Sequence, residues 1–240
     1  MLRRAFSKPS PQYPLRHYTS VFELMTAITR AITFVALSGT VATAQPAAVT
    51  TGVQDRAEGI VQQLRQLPTP LPAMGRSDGR IDLLEQRRSE LYSQLRQLGA
   101  EALPALGRGL TDPDMKLRKN VALALNALGG NWFDRSKQRM DIRAALPVLI
   151  AALQDSEGDV RAWSAQAIGE IGRDAAEAVP ALVALLGSAD DGSRNSACIA
   201  LYGIGPAAKD ALPGLQMALA DKNPDVRRFA QRAIESIRTP

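Results

Sequence analysis

The sequence is short of the residues on which most protein chemistry relies. It holds one histidine, His17, and one cysteine, Cys198, in 240 residues. A zinc site built from histidine and cysteine ligands lacks its material. A Ser-His-Asp or Cys-His device is excluded too, because His17 lies in an N-terminal stretch that does not belong to the fold. A single cysteine also rules out an intrachain disulfide, so packing has to supply the stability. No phosphate-binding glycine-lysine loop and no GxGxxG after a strand is present. Carboxylates alone can catalyse, but no acidic pair stands outside the pattern of the rest of the chain. Aromatics make up 5% of the residues, and no uncharged apolar run of about 18 residues exists to cross a membrane. The expectation is a chain without metal, cofactor or enzymatic chemistry.

What is present is repetition, most legible in Leu146–Gly172, LPVLIAALQDSEGDVRAWSAQAIGEIG. Three sets of anchors share one register: Arg118, Arg161, Arg194 and Arg227; Pro104, Pro147, Pro180 and Pro213; Asp112, Asp155, Ser188 and Asp221. Each set is spaced 43, 33 and 33 residues. The longer first interval is accounted for by an insert at Asn131–Met140.

Each anchor has a physical task. Proline is tolerated in the first turn of a helix, where its missing N–H costs nothing. Apolar residues then recur at helical spacing, as in Leu146, Leu149, Ile150 and Leu153. A polar turn such as DSEGD stops that helix and caps the next. The second helix repeats apolar or small residues in columns, among them Ala124, Ala167, Ala200 and Ala233, which let neighbouring helices approach closely. Gly129, Gly172 and Gly205 are expected to end it in a left-handed C-cap.

The Leu-Pro or Val-Pro opening, the turn aspartate followed six residues later by arginine, and the shared Leu-Gly or Ile-Gly helix end resemble the short HEAT-like repeats. Such repeats also occur in phycobilin lyase-type proteins. The resemblance covers about residues 99–240 and implies an all-α fold, a right-handed α-solenoid of about four helical hairpins stacked on one another. Ankyrin shares the 33-residue period, but its TPLHxA segment is missing. The third unit departs from the pattern, with Ser188 at the turn-aspartate position and Ser193 at the valine position.

Upstream, residues 1–44 form a leader. Met1–Arg30 holds five basic residues and one acid, Ala31–Val41 is apolar, and Ala42-Thr43-Ala44 precedes Gln45 as a cleavage site would. This pattern predicts a secretory signal peptide and an exported protein, periplasmic or secreted. The segment before the apolar stretch is long: a start at Met25 gives a compact leader, RRAFSK resembles a twin-arginine export motif, and a bipartite or transit peptide would lead to a thylakoid lumen or another organelle. Without the leader's five basic and one acidic residues, the 29 basic and 24 acidic residues of the whole chain become 24 against 23. The high overall isoelectric point therefore belongs mostly to the leader and gives little reason to expect nucleic acid.

Residues 45–52 are expected to be a flexible linker and 53–98 N-terminal capping helices. The repeats follow at 99–130, 141–174, 175–208 and 209–240, with the insert 131–140 between the first two. Asp82, Arg88 and Gly99 match Asp112, Arg118 and Gly129 at a spacing of 30, so the pair of helices before residue 99 has the look of a degenerate first repeat.

The columns divide into structure and surface. Asp112, Arg118, Asp155, Arg161, Arg194, Asp221 and Arg227 are expected to form a structural ladder; in HEAT-like arrays such pairs stack between neighbouring units, and the planar arginine fork can serve two acceptors. Cys198 falls in a small-residue column and is expected to be a buried, inert thiol. Three columns vary from unit to unit, as a recognition surface does: Asn120, Trp163, Ser196 and Phe229; Leu123, Gln166, Ile199 and Arg232; and Asn126, Gly169, Tyr202 and Glu235. Asn126, Trp163, Gln166 and Tyr202 are the candidates they offer for partner contact, and Trp132 and Phe133 come from the insert. Together they predict a non-catalytic scaffold that contacts a protein partner, as a monomer or in a heteromeric complex, with no membrane insertion once the leader is cleaved. The resemblance implies a rival, a lyase-like or chromophore-handling assembly factor. A third reading is a nucleic-acid-binding solenoid, disfavoured by the charge balance and by the absence of aromatics among the arginines.

Overall fold

The computed structural model describes residues 46–69, 79–130 and 139–239. The leader and the insert residues Trp132 and Phe133 lie outside them. Residues 47–240 form one compact unit. Among the described residues every regular element is helical: α1 (Pro46–Gln66), α2 (Gly79–Leu98), α3 (Leu103–Leu110), α4 (Met115–Gly130), α5 (Leu146–Ala152), α6 (Gly158–Ile171), α7 (Val179–Leu185), α8 (Asp191–Ile204), α9 (Leu212–Ala218) and α10 (Pro224–Arg238). A short 3-10 turn leads into each of α3, α5, α7 and α9.

Each unit is a short first helix of 7 or 8 residues and a second of 14 to 16. The anchor proline is the second residue of every first helix. Such short helices would be marginal alone; they persist because one face of each is buried. Leu106, Leu149, Leu182 and Leu215 are each 0% exposed, and burying one leucine contributes roughly 1.5–3 kcal/mol. The second helices stand side by side, each packed on the next, with the alanine column fully buried at the seam.

Glycine makes the tightest seam possible. A Cβ on Gly203 would sit 2.4 Å from the carbonyl oxygen of Gly169, and one on Gly169 would sit 2.9 Å from the Cα of Ala200. Gly169 belongs to a column expected to face a partner; the structure instead seats it where α6 meets α8.

The helix ends differ from the expected left-handed cap. Gly172 (φ 75°, ψ −141°) and Gly205 (φ 64°, ψ −136°) have positive φ, but their ψ is extended rather than left-handed helical. In the first unit the positive φ falls at Gly130 (φ 125°), one residue beyond Gly129. Gly129 stays helical, and Ile142 of the chain that follows the insert lies 2.7 Å from where its Cβ would be.

The N-terminal cap also differs in detail. Helix α1 begins at Pro46, upstream of the Val53 start that its apolar face suggests, so most of the segment expected to be a tether is helical. Asn120, in a column expected to face a partner, is 0% exposed and seals the cap instead. Its amide donates to the carbonyls of Leu64 at 2.9 Å and Leu67 at 3.0 Å, at the end of α1. Its oxygen accepts from Arg88, which also donates to the Pro68 carbonyl. Arg88 thus matches the ladder arginines in sequence but works as a buried clamp between cap and first repeat.

Candidate partner-binding surface

The ladder assembles between units. Arg118 donates from Nε to Asp155 at 2.7 Å and from Nη2 at 3.1 Å. Arg194 does the same to Asp221, at 2.7 and 3.0 Å. Arg161 pairs with Asp190. In each case the arginine of one unit grips the turn of the next. Its remaining nitrogen, Nη1, donates to two carbonyls of its own turn, at 2.7–3.1 Å in all four units. One guanidinium therefore ties two consecutive turns together.

The aspartates are doubly used. Asp155 and Asp221 each accept the backbone N–H two residues ahead, which shapes their own turn, while receiving the preceding arginine. Asp112 is built alike and is reached by Arg65 of α1 at 2.7 Å. The first rung thus comes from Arg65 and not from Arg88, its counterpart by spacing. Arg227 of the fourth unit holds its own turn carbonyls and, among the described residues, pairs with no carboxylate.

The irregular third unit is compensated locally. With serine at 188, the carboxylate comes from Asp190, which accepts from the Ser188 hydroxyl at 2.9 Å and from the Ser193 N–H at 2.7 Å. Ser193, where other units have an apolar residue, is buried and accepts the Nε of Arg161 at 3.2 Å. The two departures form one substitute socket.

This network holds the turn carboxylates ionised. For Asp221 the Arg194 fork comes first, and it lowers the pKa against the opposing effect of burial. For Asp112 the Asp114 N–H comes first, again lowering it against burial, with help from Arg65. For Asp155 and Asp190 burial is the largest influence and pushes upward. The arginine and backbone N–H bonds together outweigh it, and both end below the usual carboxylate range. Cys198 is fully buried, and burial, reinforced by the Asp221 charge, pushes its thiol up to about 12. Such a thiol is inert at neutral pH.

With the ladder occupied, the outer side of the second helices remains. Asn126 and Gln166 do not sit there independently: the Asn126 amide donates to Gln166 at 3.1 Å, and Gln166 donates to the Ser196 hydroxyl at 3.0 Å. These bonds run across three consecutive second helices and fix the orientation of both amides. Trp163, Tyr202 and Phe229 are half-buried, each packed against the core with part of its ring facing out. Of the six residues expected to meet a partner, four therefore share this layer, while Trp132 and Phe133 lie outside the described residues. Arg228 and Arg232, which the sequence places on the polar exterior of the last helix, have guanidinium groups 5.0 and 5.6 Å from the centre of the Phe229 ring. Arg228 directly precedes Phe229 and Arg232 follows it by three residues, close to one helical turn.

Among the described residues no group of three or more His, Cys, Asp or Glu is gathered as a metal site. No described helix is long and apolar enough to cross a membrane.

Comparison with known proteins agrees with this geometry. Residues 146–238, the last three units, match the HEAT repeats family. No curated protein matches the sequence. The complex of CpcE and CpcF of phycocyanin lyase from Nostoc sp. PCC7120 is similar over 75% of this chain and 98% of that one, at 18% identity and a TM-score of 0.56. A designed armadillo repeat protein in complex with the peptide (KR)4 is similar over 83% of this chain and 95% of that one, at 18% identity and a TM-score of 0.52. An engineered protein is similar over 80% and 84%, at 24% identity and a TM-score of 0.54. At such identities the likeness is one of fold. The chain is a helical-repeat solenoid.

Proposed function

We propose that this protein is a non-catalytic scaffold, carried out of the cytoplasm by its leader, that binds another protein through the outer side of its second helices. The observation that carries the reading is the division of labour along those helices. Arginine, alanine and leucine columns are consumed inside the array. The columns beside them change from unit to unit and hold partly exposed aromatics, Trp163 and Tyr202, next to the oriented amides of Asn126 and Gln166. Aromatic anchors of this kind dominate binding energy at protein interfaces. Amides already fixed by mutual hydrogen bonds lose little freedom when a partner arrives. Two proteins of like fold are recorded with partners, one with a peptide and one as a two-protein complex.

The test is affinity capture of the tagged full-length protein from its native cells, with mass spectrometry of bait and prey. The expected result is a bait recovered outside the cytoplasm, beginning at Gln45, with one protein partner. Trp163→Ala should lower capture of that partner several-fold while the far-ultraviolet circular dichroism stays unchanged. A bait recovered uncleaved in the cytoplasm and carrying pigment would replace the scaffold reading with a chromophore-handling one. Equal capture by Trp163→Ala would move the binding face elsewhere.

A further inference from the structure

A shallow groove of roughly 630 Å³ lies between the C-terminal ends of α8 and α10, and Arg173, Tyr202, Pro206, Arg232 and Glu235 are among its walls. Three of its residues occupy one position in successive units, the one after the helix-ending column: Arg173, Pro206 and Thr239. The groove therefore runs along the stacking direction, across the ends of the second helices.

Its two arginines differ from the ion-paired cations of the array, as do Arg56, Arg96, Arg227 and Arg238. Arg65, Arg108, Lys119, Arg139 and Arg143 all reach carboxylates of this chain. Among the described residues, Arg173 and Arg232 have no carboxylate within ion-pairing distance. Arg228 shares the Phe229 ring with Arg232 but is neutralised by Asp225 at 2.9 Å. Glu235, the acid on the groove wall, already accepts from Gln231 at 2.7 Å. The units do not require this charge for their packing, since the positions equivalent to Arg232 are Leu123, Gln166 and Ile199.

We infer that this groove takes an extended acidic segment of a protein partner, its carboxylates paired with Arg173 and Arg232 and its backbone crossing Tyr202 and Pro206. The inference rests on the scaffold reading and supplies the chemistry of the partner. Packed helices stand about 8–10 Å apart, close to three residues of extended chain. The segment thus carries carboxylates three or more residues apart rather than in a block. Discrete carboxylates suit this groove better than the unbroken charge of a nucleic acid, whose phosphates would have to pass Glu235. A planar guanidinium fork is matched to a carboxylate.

The test is fluorescence anisotropy with the full-length protein and the labelled peptide Glu-Thr-Val-Glu-Thr-Val-Glu. The acidic peptide should bind, its lysine counterpart should not, and binding should weaken as salt is raised. The double variant Arg173→Ala/Arg232→Ala should bind at least tenfold more weakly with unchanged circular dichroism, because neither side chain makes an ion pair among the described residues. Arg56→Ala, which removes an exposed arginine on α1, should bind like the wild type. Equal binding by the double variant, no binding of the acidic peptide, or preferential binding of oligothymidylate would overturn the inference. Failure here is separable from failure of the scaffold reading. If the double variant still captures the native partner while Trp163→Ala does not, the scaffold stands and the groove assignment falls. If the peptide binds through the two arginines but no native protein is captured, the reverse holds.

Discussion

Asp221 serves two masters: it shapes its own turn through the Asn223 N–H and receives the fork of Arg194 from the unit before. Both members are largely buried, at 8% and 11% side-chain exposure. Removing one therefore leaves the other's charge unpaired in a poorly solvated place. Arg194→Ala should cost about 2 kcal/mol in urea unfolding, whereas Arg227→Ala, exposed and with no paired carboxylate among the described residues, should cost about 0.5 kcal/mol. Equal losses would mean that holding the turn carbonyls, which both arginines do, is the whole of the effect. The arginine and aspartate columns were legible because each repeats in register. Which aspartate an arginine grips was not, since sequence spacing favours the one six residues back in its own unit. Nor were the substitutes legible: Asp190 replaces a missing aspartate from two residues away, and Arg65 makes the first rung from a helix that Arg88 does not belong to.

Helices, by contrast, were almost wholly legible from proline, leucine and alanine periodicity, because an array of identical seams demands the same residue at the same place. The misjudged positions are those where two elements meet. Asn120 and Gly169 looked variable, hence surface, but each varies because its seam is locally different: Asn120 receives the end of α1 and Gly169 receives α8. The contact between Gly169 and Gly203 is open to test. Alanine is favoured over glycine within a helix by about 1 kcal/mol, yet the Cβ of Gly203→Ala would lie 2.4 Å from the Gly169 carbonyl oxygen. The strain of forcing two helices apart, about 1–3 kcal/mol, should win. Gly203→Ala is thus expected to lower the melting temperature; a rise would show that α6 and α8 separate freely.

At the scale of the molecule the four turn carboxylates act together. All of them, Asp112, Asp155, Asp190 and Asp221, have native pKa values below the ordinary range. An aspartate in the unfolded chain titrates near 3.9. Each rung's contribution is therefore fully present above about pH 4 and is lost as pH falls through the native values, where the unfolded chain takes up protons first. The urea midpoint should be flat between about pH 8 and 5 and fall steeply below about pH 4. The fall should be shallower in a variant carrying both Arg118→Ala and Arg194→Ala, and an identical fall would place the acid-sensitive groups outside the ladder. The candidate surface was legible only in outline. Variation between units marked its columns, but the hydrogen bonds linking Asn126, Gln166 and Ser196 depend on how far apart the helices stand, which no single column records.

Because every rung runs from the arginine of one unit to the turn of the next, the array has a sense of direction, like a row of hooks and eyes. Arg227 is a hook that holds no eye among the described residues. Near it the chain has Gln216 and Gln231 where earlier units carry Gly107, Ile150 and Val183, or Ala122, Ala165 and Cys198. The hook is kept at this face of the fourth unit, while the two amides make the face polar. A further unit seated on this face would have to bring an aspartate at its turn for Arg227 and to meet two amides where the seams between the earlier units are apolar.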